Sequence, residues 1–218
     1  MNIYVVVEGE VGEKKVYQHW IPLVNPILTP IDYITQVTTN NFYIISGNGY
    51  PNYFNTIKNA IDDVANNPQF NRLVVAVDSE DIDFATKYTE IDDYIQSFGT
   101  SIDYRIIIQH FCLETWALGN KNIYVRNPQD TQLIQFQSIW NVSTQDPELL
   151  PPLVSHLNRA HSAELYLRKL LQEKYRNLTY TKRRPEALLN NTFFNRVKNR
   201  CTQDRHVQSF EHFLNAFI

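Results

Sequence analysis

The chain has 218 residues, 43% of them apolar and 20% charged, with a net charge of −3. These proportions are ordinary for a globular protein and supply a sizeable core, and no stretch approaches the roughly 18 uncharged apolar residues of a membrane span. Cys112 and Cys201 are the only cysteines, too few for a disulfide framework or a thiolate metal site, and the opening residues lack a basic leader, so a cytoplasmic protein is expected.

Taken in order, Ile3–Val7, Phe42–Ile45, Leu73–Val77 and Tyr104–Ile108 are short, nearly all-apolar runs, the texture of strands covered on both faces. Helix-period stretches separate them: Lys14 to about Leu23, Tyr53 to Ala65, and Phe84 to Ser97. In the second, Phe54, Ile57, Ile61 and Val64 share one face while Asp62 and Asp63 lie on the other. This alternation predicts an α/β fold with a mainly parallel, four-stranded sheet flanked by helices. Residues 24–41, interrupted by Pro26 and Pro30, leave Tyr33–Val37 as an extra edge strand or a hairpin arm. Ser46-Gly47-Asn48-Gly49 closes the second strand, and its glycines supply either positive-φ turn positions or N–H groups for a phosphate.

Beyond the fourth run, His110 to Gly119 reads as a short amphipathic helix. Residues 121–152 are broken by Pro128, Pro147, Pro151 and Pro152 and read as loop. From Ser155 onward the apolar spacing is helical, with Leu167, Leu170, Leu171, Phe193, Phe194, Phe210 and Phe213 recurring. The expected organisation is an α/β catalytic domain over 1–125 and a mainly helical extension over 126–218 packed on it. Charge divides similarly: residues 1–149 carry 8 Lys and Arg against 18 Asp and Glu, and residues 150–218 carry 12 against 5. An acidic first part and a basic last part suit a carboxylate-lined cation site served by a phosphate-binding surface, or two solvated faces.

Carboxylates gather just past two of the apolar runs: Glu8, Glu10 and Glu13 after the first, and Asp78, Glu80, Asp81 and Asp83 after the third. In a β-α alternation those strand ends share one edge of the sheet. Carboxylates converging there repel one another unless a cation intervenes, and hard oxygen ligands suit Mg²⁺ or Mn²⁺. Taken singly, each acid has a plainer explanation as a solvated residue or a helix cap.

Val5-Val6-Val7-Glu8-Gly9 with Glu13, followed by Val77-Asp78-Ser79-Glu80 and by His110-Phe111-Cys112-Leu113-Glu114-Thr115-Trp116, resembles the TOPRIM fold over roughly residues 1–118. It is most similar to the small RloB-like and OLD-nuclease-type TOPRIM proteins of bacterial anti-phage defence. The resemblance implies a Rossmann-like fold and a Mg²⁺- or Mn²⁺-dependent endonuclease acting on DNA or RNA, tRNA among the targets, as the toxic effector of a defence system. It implies Glu8, Asp78 and Glu80 as catalytic residues and metal ligands, Glu13 and Glu114 as further metal-site carboxylates, and a regulatory partner such as an ATPase. The family's D-x-D is Asp78-Ser79-Glu80 here, one methylene longer at its second acid; Asp81-Ile82-Asp83 spells the motif farther from the strand.

Lys182-Arg183-Arg184 is the densest basic cluster and the expected substrate-binding segment, with Arg196, Lys198, Arg200 and Arg205 after it. Tyr175, Tyr180 and Phe193 could stack on bases, although Phe193-Phe194 reads more naturally as core. Apart from the loose His156/His161 pair the six histidines lack metal spacing; His161 and His206 are candidates for proton transfer. Two other readings stand beside the nuclease: a catalytically silent TOPRIM-like scaffold that docks an ATPase, and a phospho-acceptor domain, which predicts a lysine after a fifth strand, Lys121 being the only nearby candidate.

Overall fold

The four apolar runs become the centre of one sheet. In a computed structural model of the chain, which describes residues 1–175 and 178–218, the strands are β1 (Ile3–Val7), β2 (Thr29–Ile31), β3 (Asn41–Ser46), β4 (Arg72–Asp78) and β5 (Tyr104–Gln109). Their order is β2-β3-β1-β4-β5. β1 pairs in parallel with β3 and β4, and β2 with β3. Leu73 N–H bonds Asp103 O and Ser79 N–H bonds Gln109 O, so β4 and β5 also advance together. Val7 lies opposite Ser46 on β3 and Ala76 on β4, which brings the C-terminal ends of the central strands to one edge.

The sheet has five strands where four are expected. The additional one is β2, at the edge, and Tyr33–Val37 is not a strand: Ile34–Gln36 forms a single 3₁₀ turn. Thr29-Pro30-Ile31 escapes a hydrophobicity reading because it is short, largely exposed and carries a proline, which only an edge strand tolerates.

The chain divides into two compact units. The first comprises Met1–Val77, Phe84–Ile108 and His212–Ile218. Its helices are α1 (Gly12–Val24), α2 (Asn52–Asn66) and α3 (Phe84–Gln96). All five β1 side chains are buried, and alternate residues enter opposite faces of the sheet. Tyr4 and Val6 join Ile57, Ile61, Val75, Val77, Ile91 and Ile95 in one apolar cluster, which explains why α2 and α3 carry their apolar residues at helical spacing. Each fully buried Val or Ile contributes about 1.5–3 kcal/mol. Around α1, Tyr17 and Trp20 pack edge-on to Phe213, with ring centroids 5.1 and 6.1 Å apart.

The second unit comprises Asp78–Asp83 and Gln109–Glu211. It holds α4 (Leu113–Leu118), α5 (Thr131–Ile139), α6 (Arg159–Lys174), α7 (Asn191–Thr202) and the first residues of α8 (Phe210–Ala216). All six residues of α4 are buried, and Trp116 meets Phe210 edge-on at 5.0 Å. α5 corrects the loop reading of residues 121–152. Asp130 caps it by accepting the Leu133 N–H at 2.9 Å and is held by Lys169 at 2.6 Å, and only Leu133 and Phe136 on it are buried. Helix begins at Arg159, not Ser155, because the Asn158 side chain caps α6.

Candidate functional site

In the first unit, Glu8 stands half-buried immediately past β1. Its backbone N–H bonds Ala76 O at 2.9 Å, continuing the β1–β4 ladder by one step. The glycine turn after β3 binds this strand end. Gly47 N–H donates to Val7 O at 2.6 Å and Gly49 N–H to Glu8 O at 3.0 Å. Both N–H groups therefore face protein, and of the two glycines only Gly49 takes the positive φ of the turn reading. Gly49 has φ +74, and a Cβ on Gly47 would fall 2.6 Å from the Tyr53 Cβ. Glu13 folds back so that its Oε2 accepts the Gly9 N–H at 2.6 Å, bracing the turn from strand to helix.

In the second unit, the loop after Asp78 is gripped from several sides. Glu80 has φ +54, a left-handed conformation that costs a non-glycine residue on the order of 1–3 kcal/mol and recurs at functional sites. Its carboxylate accepts a hydrogen bond from the Asn158 amide. The Asn158 Oδ1 in turn accepts from the backbone N–H of His161 at 2.8 Å and lies 2.7 Å from its Nδ1. Arg159 donates its backbone N–H and Nε to Asp81 Oδ1 at 3.0 and 3.2 Å, and an Nη to Asp81 O at 3.0 Å. The second D-x-D register, Asp81-Ile82-Asp83, thus has its first acid committed to Arg159. Buried Ser79 places its Oγ 2.8 Å from His110 Nδ1. Burial, then the nearby Arg159 charge, pushes the His110 pKa below the ordinary histidine value, so that ring is neutral at physiological pH.

The segment 178–184 brings a cation to these acids. Burial alone would depress the Lys182 ammonium, but Glu114 and Asp78, then Cys112 and Glu164, outweigh it and hold the pKa well above the usual lysine range. The residue nevertheless keeps an exposed surface. Glu114, only 2% exposed, accepts the Tyr180 hydroxyl at 2.7 Å. Tyr180 is itself buried, which removes it as a stacking surface for bases. Burial and the adjacent carboxylates push the Cys112 thiol well up, making it inert at neutral pH. Arg183 and Arg184 are exposed on a tight turn closed by Arg184 N–H to Thr181 O at 2.9 Å.

Among the expected residues, then, Asp78, Glu114 and Lys182 act on one another within the second unit. Glu80 is oriented in that unit by Asn158, and Glu13 serves its own turn in the first. Sequence reasoning missed Asn158 and Glu164 and gave Tyr180 a stacking role in place of its bond to Glu114; the one available signal was Asn158 as a helix cap ahead of the α6 apolar spacing. Two basic candidates have other tasks. Arg200, 2% exposed, donates to Val142 O, Gln145 O and Ser143 O at 3.0, 2.8 and 3.3 Å, and Lys121 pairs with Asp204.

The donor set suits a hard divalent cation, since every candidate ligand is a carboxylate oxygen and the thiol is buried. Among the described residues no three His, Cys, Asp or Glu side chains are gathered as a ready ligand sphere, and no helix is long and apolar enough to cross a membrane. Comparisons with protein-family models, with curated proteins and with solved structures found no match.

Proposed function

We propose that the chain is a hydrolase of phosphodiester bonds that works with a divalent cation. More particularly, we propose a TOPRIM-type endonuclease of the cytoplasm, acting on DNA or RNA as the toxic effector of an anti-phage system and governed by a partner such as an ATPase. The observation that carries the reading is the electrostatic coupling of Asp78 and Glu114 to Lys182, in the unit where Glu80 is held by Asn158 in an unfavourable backbone conformation. The strand-end motifs that resemble TOPRIM proteins support the narrower identification, including the effector role and the partner.

Asp78 and Glu80 would hold Mg²⁺ or Mn²⁺, with Glu8, Glu13 and Glu114 added by the resemblance. What the cation supplies when bound is Lewis-acid stabilisation of the phosphate and a water more acidic than bulk. The remaining work falls to side chains. Lys182, charged across the neutral range, offsets charge that develops on the phosphate oxygens. Asn158 fixes the Glu80 carboxylate, and Tyr180 donates its hydroxyl to Glu114 and orients it. Arg183 and Arg184 reach flanking phosphates from the exposed turn.

The test is incubation of the purified protein with Mn²⁺ against plasmid DNA and total RNA in parallel. Cleavage of one of them is expected, falling at least about a thousandfold in Asp78→Ala and in Glu8→Ala, the several kcal/mol of charge stabilisation a metal site contributes. Both variants cleaving at the wild-type rate, with unchanged thermal unfolding, would overturn the assignment. The second reading, a silent scaffold that docks a partner, is favoured by the lack of a gathered ligand sphere among the described residues.

A further inference from the structure

The second unit also carries a concave surface built on the C-terminal half of α6 and on α7. One cavity of about 550 Å³ has Leu171 and Phe193 as apolar lining, with Asn122, Tyr175, Arg196 and one carboxylate, Glu186, among its walls. Asn122 and Tyr175 also line a larger groove of about 990 Å³, together with Arg126 and Lys174. Three of these residues are cations at the surface: Arg126, Lys174 and Arg196 are exposed. Among the described residues none of the three makes an ion pair. Tyr175 leaves 46% of its surface open between them.

We infer that this surface is a binding groove for a single-stranded polynucleotide. Unpaired cations spaced along a groove follow a phosphate backbone, and an exposed aromatic ring beside an apolar recess offers a platform for a base. A duplex keeps its bases stacked inside and presents phosphates alone, whereas a single strand can turn a base into the cavity. The cavity volume falls within the range of small-ligand pockets. The polarity of α6 fits as well: Glu164, which acts on Lys182, lies near its start, and Tyr175 follows its end. Those positions are separated by roughly 16 Å of helix, the reach of a few nucleotides. The inference deepens the nuclease reading and rests on it for the purpose of the groove, but binding can be measured with no cleavage.

The experiment is fluorescence anisotropy of the full chain in EDTA. The probes are a fluorescein-labelled oligothymidylate, a matching oligouridylate and a fully paired DNA duplex. Either single strand is expected to bind at least about tenfold more tightly than the duplex. Tyr175→Ala should weaken single-strand binding about tenfold, the effect of one stacking contact, and Lys58→Ala, a surface charge of the first unit, should leave it unchanged. Arg196→Ala and Arg126→Ala should each lower the slope of log affinity against log salt by about 0.7. Equal binding of duplex and single strand, no binding to any probe, or variants indistinguishable from wild type would overturn the groove. The two proposals fail separately. Binding that behaves as described in a protein that never cleaves keeps the groove and loses the nuclease; cleavage with Tyr175 and Arg196 variants that bind normally does the reverse.

Discussion

The two units carry similar sets of carboxylates and use them differently. After β1, Glu13 accepts a backbone N–H and the strand end is laced to a glycine turn; charge there serves local geometry. After β4, Asp78 and Glu114 act on an ammonium, and Glu80 is held at positive φ by an amide from α6. The Glu13 bond is one that any acid in the first turn of a helix can make to brace its own turn. The second arrangement commits strain and buried charge that folding alone does not require. An acid's place at a strand end is therefore a weak indicator, and what its carboxylate is bonded to is a strong one.

That contrast breaks first at Lys182. Lys182→Met should cut cleavage about a hundredfold, as for loss of one preorganised charge donor, whereas Lys15→Met in the first unit should leave the rate unchanged. Equal rates for wild type and Lys182→Met, measured under single turnover, would mean that the ammonium only balances the acids.

A second contrast concerns pH. Glu148 is buried, and burial raises its pKa to about 7, against the hydrogen bonds from Ser209 that lower it. Its proton is held more tightly in the folded state than in the unfolded chain. The stabilisation is therefore complete below the ordinary carboxylate pKa near 4.5 and is lost as pH rises toward 7. Denaturant unfolding should show stability declining by about 3 kcal/mol over that window, and Glu148→Gln should flatten the decline. A slope that persists in the variant assigns the effect to another group.

Much of the fold was legible because burial on both faces forces β1, β3, β4 and β5 to be continuous apolar runs, and α2 and α3 to repeat at helical spacing. β2 was not, since an exposed three-residue edge strand has no such constraint. The acids of the site were legible as residues past strand ends, but their partners were not. Asn158, Glu164 and Tyr180 come from segments far along the chain, and nothing in Leu178-Thr179-Tyr180-Thr181-Lys182 marks Tyr180 as buried or Lys182 as neighbouring Asp78. Their roles arise from tertiary packing, which neither period nor composition encodes.

The smallest effect is expected at Asn158. Asn158→Ala removes a helix cap and should lower stability by about 1 kcal/mol, and it also frees Glu80. Asn158→Asp keeps the cap yet sets a negative charge against Glu80. Thermal unfolding should therefore separate the two variants while cleavage assays find both impaired; full activity in Asn158→Asp would show that the Glu80 orientation is immaterial.

The central claim is that the acids of the second unit serve a cation and a phosphate. Calorimetric titration of the intact protein with Mn²⁺ tests it most directly, comparing wild type with Asp78→Asn. The account predicts saturable binding at or below millimolar Mn²⁺ that Asp78→Asn abolishes while the protein stays folded. No binding heat in the wild type, or the same isotherm in both proteins, would contradict it.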